Sequence, residues 1–358
     1  MKHPERIRIK DIARMAGVSV GTVDRVLHGR AGVASASRQR VEEILRQMDY
    51  HPNIYASALA SNKKYAFACL LPSHLEGEYW TAVEVGIRSA LAAYADFHIT
   101  IDVSYYDPYD YRSFANASHA IAVRHPDGVL LAPTAPEHTR PFTTELKTLD
   151  IPYIYVDSNL ADQPALSFLG QDSRQSGRFA AHMLSLLAGS SRQFVLFRRI
   201  NAGIVGSNQQ ERREVGFRDY VGTHCPDCTV LECDLPIGSA ADDFRNLDHF
   251  FDRHPDARAG ITFNSKVYAV GEYLQARGIA DFRLMGYDLL ARNVACLRAG
   301  SVDFLIAQQP ELQGYNAIKA LADHLIFRKE VPPLQFMPID LLSRQNIDFY
   351  HPSFTIHS

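Results

Sequence analysis

Across its 358 residues the chain has no apolar run approaching the roughly twenty residues of a membrane-spanning helix. Its first residues lack the basic, apolar and small-residue zones of an export signal, so the cytoplasm is the expected location and no membrane partner is expected. There is one tryptophan, Trp80, and there are five cysteines. Cys225 and Cys228 form a C-x-x-C, which can be a redox pair or half of a zinc site. No second pair stands at a suitable spacing, so these thiols are read as incidental to a loop. The fifteen histidines include no H-E-x-x-H. A G-x-S-x-G elbow, a phosphate-binding P-loop and a dinucleotide fingerprint are all missing. Hydrolytic, nucleotide-dependent and metal-dependent catalysis therefore have no signature, and no cofactor or metal is expected.

What the chain does have is a divided charge. Residues 1–64 carry twelve Lys and Arg against six Asp and Glu, leaving 25 basic and 34 acidic residues for the remainder. A net charge of −3 thus conceals a basic head on an acidic body. A basic head attracts phosphate backbone, and an acidic body stays off it. The head is no solvated tail, because apolar periodicity runs through its charges.

Two short amphipathic helices flank Gly17-Val18-Ser19. Gly17 suits the left-handed turn between them, and Ser19 is a good N-cap for the second. Ala13, Ala16, Val23 and Val26 are small or β-branched, which lets the helices cross closely. This is a helix-turn-helix pattern, whose second helix lies in a DNA major groove. A third helix carries Val41, Ile44, Leu45 and Met48 at i, i+3, i+4 and i+7. It ends before Pro52, since the residue preceding proline disfavours the helical region. The segment Ile54 to Ala60 is Ala-rich and helix-capable but only about two turns long, a length marginal alone in water.

The runs Ile-Lys-Asp-Ile-Ala, Ala-Gly-Val-Ser, Thr-Val-Asp-Arg-Val-Leu, Arg-Gln-Arg-Val and Tyr-His-Pro-Asn, followed by Ala56 and Leu59, resemble the lactose-repressor (LacI/GalR) family of bacterial transcription regulators. The resemblance implies a recognition helix beginning at Ser19, with Val20, Gly21 and Arg25 facing base edges. Arg25 would contact guanine in a bidentate manner, whereas Val20 would touch a thymine methyl. Ser19, Thr22, Ser37 and Asn53 would contact phosphates and set position. The segment from Ile54 to Ala60, with Ala56 and Ser57, would be a hinge helix that folds on the operator and drives Leu59 into the minor groove, kinking the duplex. Three positions depart from the family pattern: Asp24 replaces the usual Ser, Arg8 a capping Thr, and Ser57 a frequent Arg.

The remaining residues exceed one ordinary domain, so two lobes are expected. Short apolar runs at 66–71, 99–103, 128–131, 153–156, 194–197, 230–231, 260–263, 283–287 and 304–307 alternate with amphipathic helical patterns. That alternation predicts an α/β fold with parallel sheets and crossover helices. Such sheets bind ligands at the carboxyl ends of their strands. Tyr79-Trp80, Asp107, Asp157, Asn264-Ser265, Asp288 and Gln308-Gln309 all follow runs of this kind. The set is aromatic and hydrogen-bonding, which suits a polyhydroxylated ligand.

This part is similar to the type I periplasmic-binding-protein fold, in particular its ribose-binding branch. Ile306-Ala307-Gln308-Gln309-Pro310-Glu311 resembles that branch's ligand-glutamine motif, and Gly286-Tyr287-Asp288 its sugar-binding aspartate strand. Glu211-Arg212-Arg213-Glu214-Val215-Gly216-Phe217 points to Arg213, while Tyr79 and Trp80 match a sugar-stacking aromatic pair. The resemblance implies a monosaccharide or a derivative as effector, bound by Tyr79, Trp80, Asp107, Asp157, Arg213, Asn264, Asp288 and Gln308. It further implies a homodimer that recognises an approximately palindromic operator on double-stranded DNA. The expected organisation is a DNA-binding domain at 1–53, a hinge at 54–64 and an effector domain at 65–358. The lobes of that domain would be 65–160 plus 312–337, and 161–311 plus 338–358, with the first crossing near Leu160–Leu166. The expected function is a sugar-controlled transcriptional repressor. The alternative is a sugar-binding protein or enzyme of the same architecture without regulatory DNA binding.

Overall fold

The computed structural model describes residues 7–27, 29–48, 50, 54–160, 162–201, 204–205 and 207–351. The chain divides into two compact units, Met1–Asn62 and Lys63–Ser358.

The first unit contains helices α1 (Ile9–Ala16), α2 (Val20–Leu27), α3 (Ser35–Gln47) and α4 (Ile54–Leu59). Gly17 ends α1 at φ 65° and ψ 38°, the left-handed conformation that glycine adopts without a Cβ clash. Ser19 Oγ accepts the Thr22 N–H at 3.1 Å and so caps α2. At the start of α1, Arg8 has no acceptor to offer as a cap. Asp11 instead accepts the Arg8 N–H at 3.0 Å, which supplies one half of a capping box. Ile12, Ala13, Ala16, Val23, Val26 and Val41 close a small core, with Ile44 and Leu45 packed against it. Each buried Val or Ile side chain there contributes about 1.5–3 kcal/mol.

The second unit holds two sheets. The first is built from β1 (Tyr65–Pro72), β2 (Ile99–Tyr106), β3 (Gly128–Leu131), β4 (Tyr153–Val156) and β5 (Ser167–Gly170), with α5 (Tyr79–Ala93), α6 (Tyr111–Val123) and α7 (Pro136–Thr148) between them. The second follows as α8 (Ser173–Leu187), β6 (Gln193–Asn201), β7 (Ile204–Val205), α9 (Asn208–His224), β8 (Thr229–Pro236), α10 (Ala240–Arg253), β9 (Ala259–Thr262), α11 (Tyr268–Arg277), β10 (Arg283–Tyr287), α12 (Ala291–Ala299) and β11 (Phe304–Ala307). The chain then returns to the first lobe through α13 (Pro310–Leu325) and β12 (Leu334–Phe336), and to the second through β13 (Asp340–Leu342).

The strand orders are β12-β5-β4-β3-β1-β2 and β13-β11-β10-β9-β6-β7, with β8 also paired to β6. All pairings are parallel except β11 with β13 and β6 with β7. Strands β3, β4 and β9 are buried throughout because helices cover both sheet faces, which is why they read as unbroken apolar runs. The α/β architecture is the one the sequence pattern predicts.

One boundary differs from the sequence reading. Residues 167–170 pair in parallel with β4 and β12, so they belong to the first sheet. The first crossing therefore falls after Gly170 and not within 160–166. Leu160 is buried in the first lobe's own core. Gln171 sits at that crossing and donates to Ala307 O at 2.8 Å and Pro338 O at 2.6 Å. One side chain thus ties all three crossing segments together.

Two helix pairs set the position of the residues at the strand ends. A Cβ on Gly177 of α8 would stand 1.9 Å from Arg213 O, and one on Gly216 of α9 would stand 1.9 Å from Arg174 O. The first lobe repeats this crossing with Gly86 of α5 and Gly314 of α13. Backbones this close fix the depth at which α9 and α13 present their first turns.

Candidate ligand cleft and nucleic-acid interface

Between the carboxyl ends of the two sheets lies a cleft of about 380 Å³. Tyr79, Trp80, Asp157, Arg213, Asn264, Asp288 and Gln308 all line it. Asp107 does not join them. It is exposed, its carboxylate accepts the Tyr109 N–H at 2.9 Å, and its own N–H donates to Ser113 Oγ at 2.9 Å. It is occupied in shaping the turn that brings Tyr109 to the cleft.

Asp157 and Asp288 are equivalent points of the two lobes. Each follows a buried strand, β4 or β10, and each has a left-handed backbone, with φ 70° and 71°. Aspartate tolerates this region better than most residues, and the turn carries the carboxylate off the strand into the cleft. Burial pushes both carboxyls upward, Asp157 to about 6 and Asp288 to about 7, against the opposing charge of Arg213.

Arg213 is 1% exposed. It donates to Phe263 O at 2.8 Å and to Gln308 Oε1 at 2.5 Å, and its guanidinium lies 3.7 Å from the Tyr287 ring centroid. Gln308 Nε2 in turn donates to Asp288 Oδ1 at 2.7 Å. From α9, Gln209 Nε2 reaches Asp157 Oδ1 at 2.9 Å and Gln308 Oε1 at 2.8 Å. A continuous polar network thus crosses between the lobes. Among the described residues, two buried side-chain nitrogens that line the cleft have no hydrogen-bond partner: Gln210 Nε2 and Arg213 Nε. Buried donors left unmet in this way are costly, so a ligand oxygen placed against them would be stabilising.

The sequence reading missed Gln209 and Gln210. They stand one turn before Arg213 on α9, and that i, i+3/i+4 spacing was the available signal. It also missed two lobe-bridging contacts: Lys266 Nζ to Glu78 Oε1 at 2.6 Å and Arg212 Nη1 to Asn159 Oδ1 at 2.6 Å.

In the head, Val20, Gly21 and Arg25 are exposed on α2, while Val23 and Val26 are buried on its opposite face. Thr22 and Ser37 are half-buried, and Ser19 bonds Thr22 through its side chain at 2.9 Å. Asp24 pairs with Arg30 at 3.2 Å, so its charge is partly met inside the head. Ala56 and Leu59 are exposed on α4, Leu59 by 50%. Asn53, with His51 and Pro52 before it, lies outside the described residues, as does the side chain of Ser57. Among the described residues no helix is long and apolar enough to cross a membrane.

Residues 8–53 match the family model of bacterial regulatory proteins of the lacI family, and residues 67–329 match a periplasmic binding protein domain. A solved protein from Bacteroides fragilis, described as a LacI transcriptional regulator, is 60% identical with a TM-score of 0.79, covering 81% of this chain and 100% of that one. The chain belongs to the LacI family. Among curated proteins, Catabolite control protein A of Streptococcus mutans is 35% identical over 94 residues, which is 26% of this chain and 28% of that protein. The chain thus matches these curated relatives over less than a third of their length. A carbohydrate solute-binding protein of Agrobacterium radiobacter, solved with D-arabinose, is 19% identical with a TM-score of 0.67, covering 80% of this chain and 97% of that one. This last likeness is one of fold.

Proposed function

We propose that this LacI-family chain is a sequence-specific DNA-binding transcriptional repressor controlled by a sugar. It acts in the cytoplasm as a homodimer on an approximately palindromic operator. A monosaccharide or a derivative of one binds between the lobes and changes operator affinity. One observation carries the reading: a single chain joins a helix-turn-helix with an exposed arginine on its second helix to a cleft whose acceptors and unmet donors match sugar hydroxyls. The cleft's carboxylates and arginine serve to hold hydroxyls, so turnover of the ligand is not part of this function. Control requires that the sugar favour one lobe arrangement over the other.

Gel-shift assays with the chain's own upstream DNA, with and without a panel of pentoses and hexoses, test this. A shift that one sugar alters is the expected result, and no shift at low salt under any condition overturns the DNA reading. Ser19, Thr22, Ser37 and Asn53 are assigned to phosphates; Val20, Gly21 and Arg25 face bases; Ala56, Ser57 and Leu59 enter the minor groove. Arg25→Ala is expected to cost about 1–3 kcal/mol of discrimination at one base pair while weaker, less selective binding persists. Equal loss on all sequences would make Arg25 a phosphate contact instead.

Sugar affinity should also depend on pH. The buried carboxyls titrate near 6 and 7, above the ordinary carboxylate value of about 4. Their contribution to stability without ligand is present below that ordinary value and is lost as pH rises through 6 to 7. Sugar hydroxyls donate to the ionised form. Affinity should therefore rise between pH 5 and pH 8, most steeply from about 6 to 7, with protons released on binding. Calorimetry in buffers of differing ionisation enthalpy measures that release. Flat affinity with no proton release removes Asp157 and Asp288 from direct contact.

A further inference from the structure

The same cleft is also lined by residues that take no part in the deep polar network. Tyr109 of the first lobe and Arg199 of the second both line it. Arg199 forms a planar fork with Asp243, with Nη1–Oδ1 at 2.8 Å and Nη2–Oδ2 at 2.9 Å. Tyr268 lies beneath the Arg292 guanidinium at 3.7 Å, and Glu272 holds that guanidinium at 2.8 and 2.5 Å. Ile237 stands at the rim, 50% exposed. All of these residues line the same cleft as Asp157, Asp288 and Arg213. Among the described residues, no hydrogen bond joins Tyr109, Arg199, Asp243 or Tyr268 directly to that deep network.

Building on the sugar reading, we propose that the effector is a neutral glycoside of at least two rings. Its first ring fills the deep network and its second lies between Tyr109 and Tyr268. Size is the first reason. At about 380 Å³ the cleft falls in the range of roughly 300–1,000 Å³ typical of sites for drug-sized ligands, which are larger than a single sugar ring. Chemistry is the second. A fixed aromatic face and an aliphatic rim suit the C–H face of a sugar ring, and the Arg199–Asp243 fork presents both donors and acceptors to its hydroxyls. Charge is the third. Arg199 is matched by Asp243, Lys266 by Glu78, and Arg292 by Glu272. No uncompensated cation among them invites a phosphate group.

Calorimetry on the full chain compares D-glucose with cellobiose, D-galactose with lactose, D-xylose with xylobiose, L-arabinose with arabinobiose, and glucose 6-phosphate. In the series that binds, the disaccharide should be at least tenfold tighter than its monosaccharide. Tyr268→Ala and Tyr109→Ala should each collapse that ratio towards one. Tyr268→Leu keeps the bulk and removes the flat face, and serves if the alanine variant fails to fold; melting temperature without sugar reports folding. A ratio at or below one, a ratio that survives both substitutions, or tighter binding of the phosphorylated sugar overturns the second subsite. If monosaccharides bind and disaccharides do not, the sugar reading stands and the extended ligand falls. If no sugar of either length binds, both fall.

Discussion

Replacing Arg213 by leucine is expected to weaken sugar binding by about 2–5 kcal/mol, roughly thirtyfold to several thousandfold, the cost of truncating a buried charge in a hydrogen-bonded pair. The loss has three sources. The guanidinium Nε, buried without a partner, is a donor that ligand oxygen meets. The other two nitrogens hold Phe263 O and Gln308 Oε1, so leucine would leave Phe263 O unmet and Gln308 Oε1 with Gln209 as its remaining donor, loosening the side chain that holds Asp288. The arginine charge is also what opposes the upward shift of Asp157 and Asp288. Without it both carboxyls move further up and hold their protons to higher pH, which weakens them as acceptors of hydroxyls.

Arg213→Lys restores charge but not the fork, and one ammonium cannot replace donors that point to Phe263, Gln308 and the ligand together. It should recover less than a tenth of the lost affinity. In gel shifts, Arg213→Leu should still bind operator while losing its response to sugar. Calorimetric affinity within threefold of wild type would show that Arg213 is a structural support only.

Much of this arrangement was legible in the sequence because its determinants are local. Apolar runs such as Gly128–Leu131 and Tyr153–Val156 mark strands buried on both faces, and polar residues just beyond them mark the cleft. Other elements have no local signal. The strand Ser167–Gly170 has only Phe168 and Leu169 between a serine and a glycine, so no unbroken apolar run marks it, and β12 and β13 are three residues each, too short to establish a period. Their place is decided by pairing with distant strands. Asp107 misled for a related reason: a carboxylate after a strand serves its own turn as readily as a ligand. Lys266 and Glu78 are far apart in sequence and meet only across the cleft, so no pattern along the chain announces them.

Gly177→Ala offers the second large effect, and it arises far from any polar contact with ligand. The new Cβ would stand 1.9 Å from Arg213 O and 2.7 Å from its carbonyl carbon, both backbone atoms that no rotamer change can clear. Helix α9 must move outward, taking Gln209, Gln210 and Arg213 with it. Overpacking of this kind costs about 1–3 kcal/mol or more. The melting temperature should fall by several degrees, at roughly 2–4 °C per kcal/mol for a unit this large. Sugar affinity should drop at least tenfold as the donors leave register. Gly222→Ala, on α9 itself, is the contrast. That position is exposed, and a methyl there would meet nothing within 4 Å, so alanine should stabilise by about 0.5–1 kcal/mol through helix propensity alone. Opposite signs from the same substitution on two packed helices would trace the effect to the α8–α9 crossing. If Gly177→Ala left both melting temperature and affinity intact, the closeness of that crossing would not be what places Arg213 in the cleft.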